Sequence, residues 1–263
     1  MYNFYAMKIS KNLKKEINIL SQTKEININI ADMLLSTFPY PEIVTKKYIL
    51  DSQNEKEGVF TALLDYFGIE KDDEESMDIA NRYIYGHLQE CDPKDCLNNE
   101  YVKKVSPKAF KENGYSLEYL SYAPYQVLPT DEILVTDYPY EEHYQVGFFK
   151  EEFKYLALLK GEEIWMSVNP NEINTMKPFI NEAKGKVLVL GLGMGYIAYM
   201  MSLKEDVKSV TVIEKDINII NLFKKNILPM LGTTKIKVVY FALVKVSIKD
   251  CKCILIICES ATK

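Results

Sequence analysis

Three observations predict an α/β fold whose carboxyl-terminal part is built on a parallel sheet. The first is Lys186-Val-Leu-Val-Leu-Gly-Leu-Gly-Met-Gly-Tyr196, an apolar run that breaks into three alternating glycines. The second is Val210-Thr-Val-Ile-Glu214, another apolar run, which closes on a carboxylate. Strands apolar at nearly every position are what burial on both faces of a helix-covered parallel sheet demands. The third lies upstream, where Tyr115 to Val168 is rich in aromatic and β-branched residues and punctuated by Pro124, Pro129 and Pro139.

The amino-terminal part reads as mainly helical. Its periodicity is weak at first, and Ile28 to Phe38 fits a helix that Pro39 and Pro41 would end. Val59 to Phe67 reads as an amphipathic helix closed by Gly68. The acidic run Asp72 to Glu75 reads as a solvated loop with helix-start character, ahead of a helix over Ser76 to Leu88. Strands are expected over Glu132–Thr136, Tyr144–Phe149, Phe153–Leu158 and Glu163–Val168, with a hairpin turn at Lys160-Gly-Glu. Trp165, the only tryptophan, is expected to pack in a core.

Asn169-Pro-Asn-Glu172 is a helix start: Asn169 can cap, Pro170 suits the first helical position, and Glu172 sits three residues after the cap. This helix should reach about Ala183, with a kink or break at Pro178. Asp216 should cap a further helix through Asn226, which Pro229 stops, and Lys235 to Phe241 reads as a third strand. Three stretches follow: a mainly helical region over 1–114, a β-rich hairpin region over 115–168, and a cofactor-binding domain over 169–263.

Composition narrows the function classes. The net charge of −5 leaves no basic footprint for nucleic acid, and with Arg82 as the only arginine no guanidinium cluster can form for phosphates. No stretch reaches the ~20 uninterrupted apolar residues of a membrane span, and Met1 to Lys15 lacks the pattern of a secretory signal. Cys91, Cys96, Cys251, Cys253 and Cys258 form an odd set without a disulfide framework. A four-thiolate zinc site from Cys91, Cys96, Cys251 and Cys253 has poor spacing, so ordinary free thiols and no metal are expected. The cytoplasm is the expected compartment.

The glycines and the second apolar run describe a nucleoside site. Gly191 and Gly193 remove Cβ atoms that would block a sharp turn and the close approach of a ligand, and Gly195 allows close helix packing. Dinucleotide folds favour G-x-G-x-x-G, whose third glycine would fall on Tyr196; the G-x-G-x-G spacing points instead to a nucleoside without a pyrophosphate. Glu214 lies at the carboxyl end of its strand, where ligands of open α/β sheets sit, and can accept both ribose hydroxyls. An exposed charge at a strand end is the alternative.

Val187–Leu190, the turn Gly191–Gly195 and Val212-Ile-Glu-Lys-Asp216 resemble the class I S-adenosylmethionine-dependent methyltransferases, and most of all their spermidine-synthase-like branch. Ordinary members usually carry an acid two residues before the first glycine; Val189 stands there, as the polyamine-synthase pattern accepts. The resemblance covers roughly residues 155–240. It implies a Rossmann-like methyltransferase sheet, incomplete on its carboxyl-terminal side, with S-adenosylmethionine as cofactor. Gly191, Gly193 and Gly195 would line its methionine moiety and Glu214 would bind its ribose.

Departures leave the catalytic residues unassigned. Met194 replaces an acid in the turn, and Glu172-Ile-Asn-Thr175 stands where a tyrosine–histidine pair is expected. Tyr240-Phe-Ala-Leu243 lacks the Gly-Asp pair that would hold the adenine. Cys253–Cys258, ending in Glu259, reads as a fourth strand of a sheet that has about seven in this superfamily, so a truncated or frame-shifted carboxyl terminus is expected. Three functions stay open: a methyltransferase acting on a small-molecule acceptor, an aminopropyltransferase, and a non-catalytic binding or interaction module. A homodimer is compatible with each.

Overall fold

The computed structural model describes residues 10–35 and 46–240. The fold is mixed α/β with several small sheets, and the chain divides into two units. One comprises Met1–Glu90 with Tyr125–Lys150, the other Cys91–Pro124 with Glu151–Lys263. The β-rich stretch 115–168 is therefore shared between both. Tyr115–Tyr122 and Phe153–Lys160 pair with each other along their whole length in the second unit, and the segment between them belongs to the first.

In the first unit a helix runs over Lys11–Leu35, well beyond the expected Ile28 to Phe38. The inward positions Thr23, Asn27, Ile30 and Leu34 follow helical spacing, but the first two are polar, which hides the period from a hydrophobicity reading. Asn27 earns its burial: its amide donates to the Tyr140 carbonyl at 2.9 Å and its oxygen accepts the Glu142 N–H at 3.1 Å. Pro39 and Pro41 lie outside the described residues.

Helix Glu55–Phe67 starts on Asn54, whose side chain accepts the Glu57 N–H, and ends on Gly68 in the left-handed region. Glu74–Tyr83 is capped by Asp73, from within the acidic run. It stops five residues before the expected Leu88, because Tyr85–His87 tightens into a 3₁₀ turn and Leu88–Glu90 is a strand. Val146–Phe148 forms the centre of a three-stranded sheet, parallel to Leu88–Glu90 and antiparallel to Leu128–Pro129. Val59, Leu63, Tyr83, Leu88, Val127 and Phe148 share its core. The strand expected over Glu132–Thr136 shrinks to Leu134–Val135, paired with Glu142–His143.

The second unit holds two sheets. An antiparallel sheet runs Phe110–Glu112, Tyr115–Tyr122, Phe153–Lys160, Glu163–Ser167, with Gly161 supplying the positive φ of the last hairpin. Trp165 is half-buried there, with the Lys160 ammonium 4.6 Å from its ring centroid. Helix Pro170–Glu182 is capped by Asn169 as expected. It continues through Pro178 without a break, since a proline one turn from the end removes only one helical hydrogen bond.

A parallel sheet follows, in the spatial order Gly185–Leu190, Val207–Glu214, Ile236–Tyr240. Helices Tyr196–Ser202 and Ile217–Asn226 connect consecutive strands, and Asp216 caps the second of them. Pro229 stands in the first turn of a further short helix, Leu228–Leu231. Residues 241–263, with Phe241, Glu259 and the suspected fourth strand, lie outside the described residues.

Candidate functional site

The glycine turn and Glu214 meet at the carboxyl end of the parallel sheet. The pairing sets Leu190 opposite Ile213, so the two strands end together. The Gly191 N–H extends this ladder by donating to the Ile213 carbonyl at 2.8 Å, and the Gly195 N–H closes the turn on the Leu192 carbonyl at 2.7 Å. Gly191, Gly193 and Gly195 have φ of 89°, 49° and 76°, a region that side chains disfavour.

Two of these glycines also lack room for a side chain. A Cβ on Gly195 would lie 2.3 Å from the Phe223 ring, which packs onto the turn from helix Ile217–Asn226. A Cβ on Gly193 would lie 1.8 Å from the thioether sulfur of Met166. The space that Gly193 opens is thus filled by the end of a flexible side chain from strand Glu163–Ser167.

Glu214 is 7% exposed and is held by three backbone donors. One oxygen accepts the Leu192 N–H at 2.8 Å; the other accepts the Lys215 and Asp216 N–H groups at 2.7 and 2.8 Å. The carboxylate therefore clasps the glycine turn to the end of its own strand. An ionised carboxylate has about four acceptor positions, so one position stays open, on the oxygen that faces Leu192.

Several polar groups that the sequence did not single out support the turn. Tyr101, in helix Glu100–Lys104, is buried and donates to the Met194 carbonyl at 2.6 Å; burial pushes its phenol far up. The Asn99 amide donates to the Tyr196 hydroxyl at 3.0 Å, and burial carries that phenol up to about 12. Tyr115 donates to Asp216 at 2.7 Å. Burial acts to raise the Asp216 carboxyl, but hydrogen bonds from Tyr115 and from the Asn218 and Ile219 backbone outweigh it and hold it low. These contacts join residues about a hundred positions apart, and no local pattern signals them.

Beside the turn lies a cavity of about 20 Å³, room for one water molecule. Met166, Glu172, Met176, Leu192, Met194 and Tyr196 are among its walls. In the sequence Glu172 stood out as part of a helix start and within the segment that replaces the expected tyrosine–histidine pair. Cys96 is a buried free thiol whose pKa is pushed up to about 11 by burial and then by Asp95. Among the described residues no group of His, Cys, Asp and Glu side chains is arranged to hold a metal ion, and no helix is long and apolar enough to cross a membrane. In comparisons with known proteins, no family model matches the chain and no curated protein does.

Proposed function

We propose that the second unit is a Rossmann-like domain that binds a nucleoside-containing cofactor, S-adenosylmethionine by the spacing of its glycines, and that the protein is methyltransferase-like. The observation that carries this reading is the junction of Gly191–Gly195 with Glu214. A turn of three positive-φ glycines ends one parallel strand, and a buried carboxylate with one free acceptor position ends the next. Ligands of open α/β sheets sit at this place.

The residues present fit such a cofactor. Over Gly193 the obstacle is the flexible Met166 thioether rather than backbone, so a ligand can displace it at low cost. Glu214 would take a ribose hydroxyl at its open position, and Gly193 would let the amino-acid tail lie against the turn. The cofactor supplies a sulfonium leaving group, so the chain's part is to bind, orient and exclude water. The acceptor would be a small molecule, in keeping with the acidic charge balance. The apolar, methionine-rich walls favour a second reading, a module that binds the cofactor without transferring from it.

Calorimetric titration of the full chain with S-adenosylmethionine, S-adenosylhomocysteine and NAD tests this. Binding of the first two and not the third is expected, with tighter binding in Met166→Ala, where the space over Gly193 is already open. Failure of both sulfur nucleosides to bind wild type and Met166→Ala would overturn the reading. Turnover with an amine or small-molecule acceptor separates a transferase from a silent module.

A further inference from the structure

Glu172 sits in an unusual position for a carboxylate. It is the third residue of helix Pro170–Glu182, where its N–H is held by the Asn169 cap at 2.9 Å. Its side chain lines the cavity beside the glycine turn, among Met166, Met176 and Met194. Burial alone acts on its carboxyl and raises its pKa above the usual carboxylate range. Glu172 is half-buried and is the one charged side chain among the residues that line this cavity.

The groups around it are neutral. The methionine thioethers are neutral and polarisable, and neither donate protons nor repel a cation. Ser167 and Tyr196 bring neutral hydroxyls, that of Tyr196 accepting from Asn99, and the Glu172 charge contributes to the raised Tyr196 value. Glu172 is therefore the only charge among the cavity walls, beside a turn whose own residues, Leu192 and Met194, bring none.

We propose that Glu172 is the anion that receives a cationic group, ammonium or sulfonium, of the bound nucleoside cofactor. This rests on the cofactor reading above. A cation entering this largely apolar site forms a charge pair with the carboxylate, stronger there than in open water. Both the α-ammonium and the sulfonium of S-adenosylmethionine are cations of this kind, and the experiment below separates them. Without ligand, Glu172 lowers stability for the sake of binding.

The test is calorimetric titration of wild type and Glu172→Gln, an isosteric neutral variant, with three probes. S-adenosylmethionine carries both cations, S-adenosylhomocysteine only the ammonium, and 5′-methylthioadenosine neither. An affinity loss of about tenfold or more is expected for the charged probes, with 5′-methylthioadenosine unchanged. Loss for the first two assigns the ammonium, and loss for S-adenosylmethionine alone assigns the sulfonium. Wild type should also release protons on binding a charged probe in mildly acidic buffer, and Glu172→Gln should not. The apo variant should melt at the same temperature as wild type or higher. Equal losses for all three probes, or none, would overturn the assignment to Glu172 while leaving cofactor binding intact. Wild type that binds no probe overturns the cofactor reading itself, and the role of Glu172 with it.

Discussion

Glu214 in the second unit and His143 in the first are both buried, both able to carry charge near neutral pH, and partnered in opposite ways. Glu214 accepts three backbone N–H groups, donors whose positions the sheet and the turn fix. His143 pairs through Nε2 with Glu141 at 3.2 Å, while its Nδ1 is buried without a partner. Its ring stacks on His87, the only other histidine of the chain, with centroids 4.4 Å apart. Backbone donors fix the Glu214 carboxylate in one place, whereas His87 lies against a second imidazole whose charge, after burial, lowers its value. The second unit therefore has a rigid polar centre and the first a proton-sensitive one.

The comparison is broken most directly at Glu214. Glu214→Ala leaves the Leu192, Lys215 and Asp216 N–H groups without their acceptor, at a cost on the order of 3 kcal/mol or more. Urea denaturation followed in parallel with wild type measures it. A loss below about 1 kcal/mol would mean that the carboxylate is not the clasp of the turn.

Acid comes next. The Gln145 amide donates to the His143 carbonyl at 3.0 Å, and the same nitrogen lies 2.9 Å from Nδ1 of His87. A carbonyl only accepts, so the network assigns the NH₂ group to that place, Nδ1 as acceptor, and a neutral His87 with its proton on Nε2. Turning the amide oxygen toward the ring would favour the charged form but would set it against the His143 carbonyl. Burial, then the His143 charge, lowers the His87 value, and Lys56 adds to this. Glu141 and Arg82, paired at 3.5 Å, are the other charges close to the stack. With the folded value below the unfolded one of about 6.5, the unfolded chain binds the proton first. Stability is then intact above about pH 6.5 and falls as pH drops through the lowered folded value. NMR titration of the two imidazoles, with pH-dependent melts of wild type and His87→Asn, checks this. A His87 that titrates at the ordinary imidazole value, or a slope unchanged in His87→Asn, would remove the contrast.

How much of each unit was legible follows from the same difference. The parallel strands pair in sequence order, and the apolar runs Val187–Leu190 and Val210–Ile213, with the glycines and Glu214, identified themselves locally. The caps at Asn169 and Asp216 did so too. The first unit's sheet joins Leu88–Glu90, Leu128–Pro129 and Val146–Phe148, pieces too short for any alternation to register. Its long helix was masked by Thr23 and Asn27 on the inward face. Around the turn, the roles of Met166, Tyr101 and Glu172 depend on which distant strand or helix lies against Gly193 and Met194. Such placement is a property of the packed sheets and is written in no short window.

The smallest expected effects compare two buried tyrosines. Tyr101 in the second unit donates to the Met194 carbonyl at 2.6 Å, inside the core that supports the turn. Tyr101→Phe leaves that carbonyl unpaired and should cost about 1–2 kcal/mol. Tyr83 in the first unit is equally buried, yet its hydroxyl makes no hydrogen bond of good geometry. Burial and the nearby Glu141 charge push its phenol up to about 12, so it stays neutral and gains nothing by ionising. Tyr83→Phe removes only a poorly aligned interaction with the Glu141 carboxylate and should cost less than Tyr101→Phe, about 0–0.5 kcal/mol. Chemical denaturation of the two variants decides the matter by the size of the two losses. If Tyr83→Phe proves the more costly, the first unit's polar cluster is as completely paired as the second's. The acid sensitivity assigned to it would then need another source.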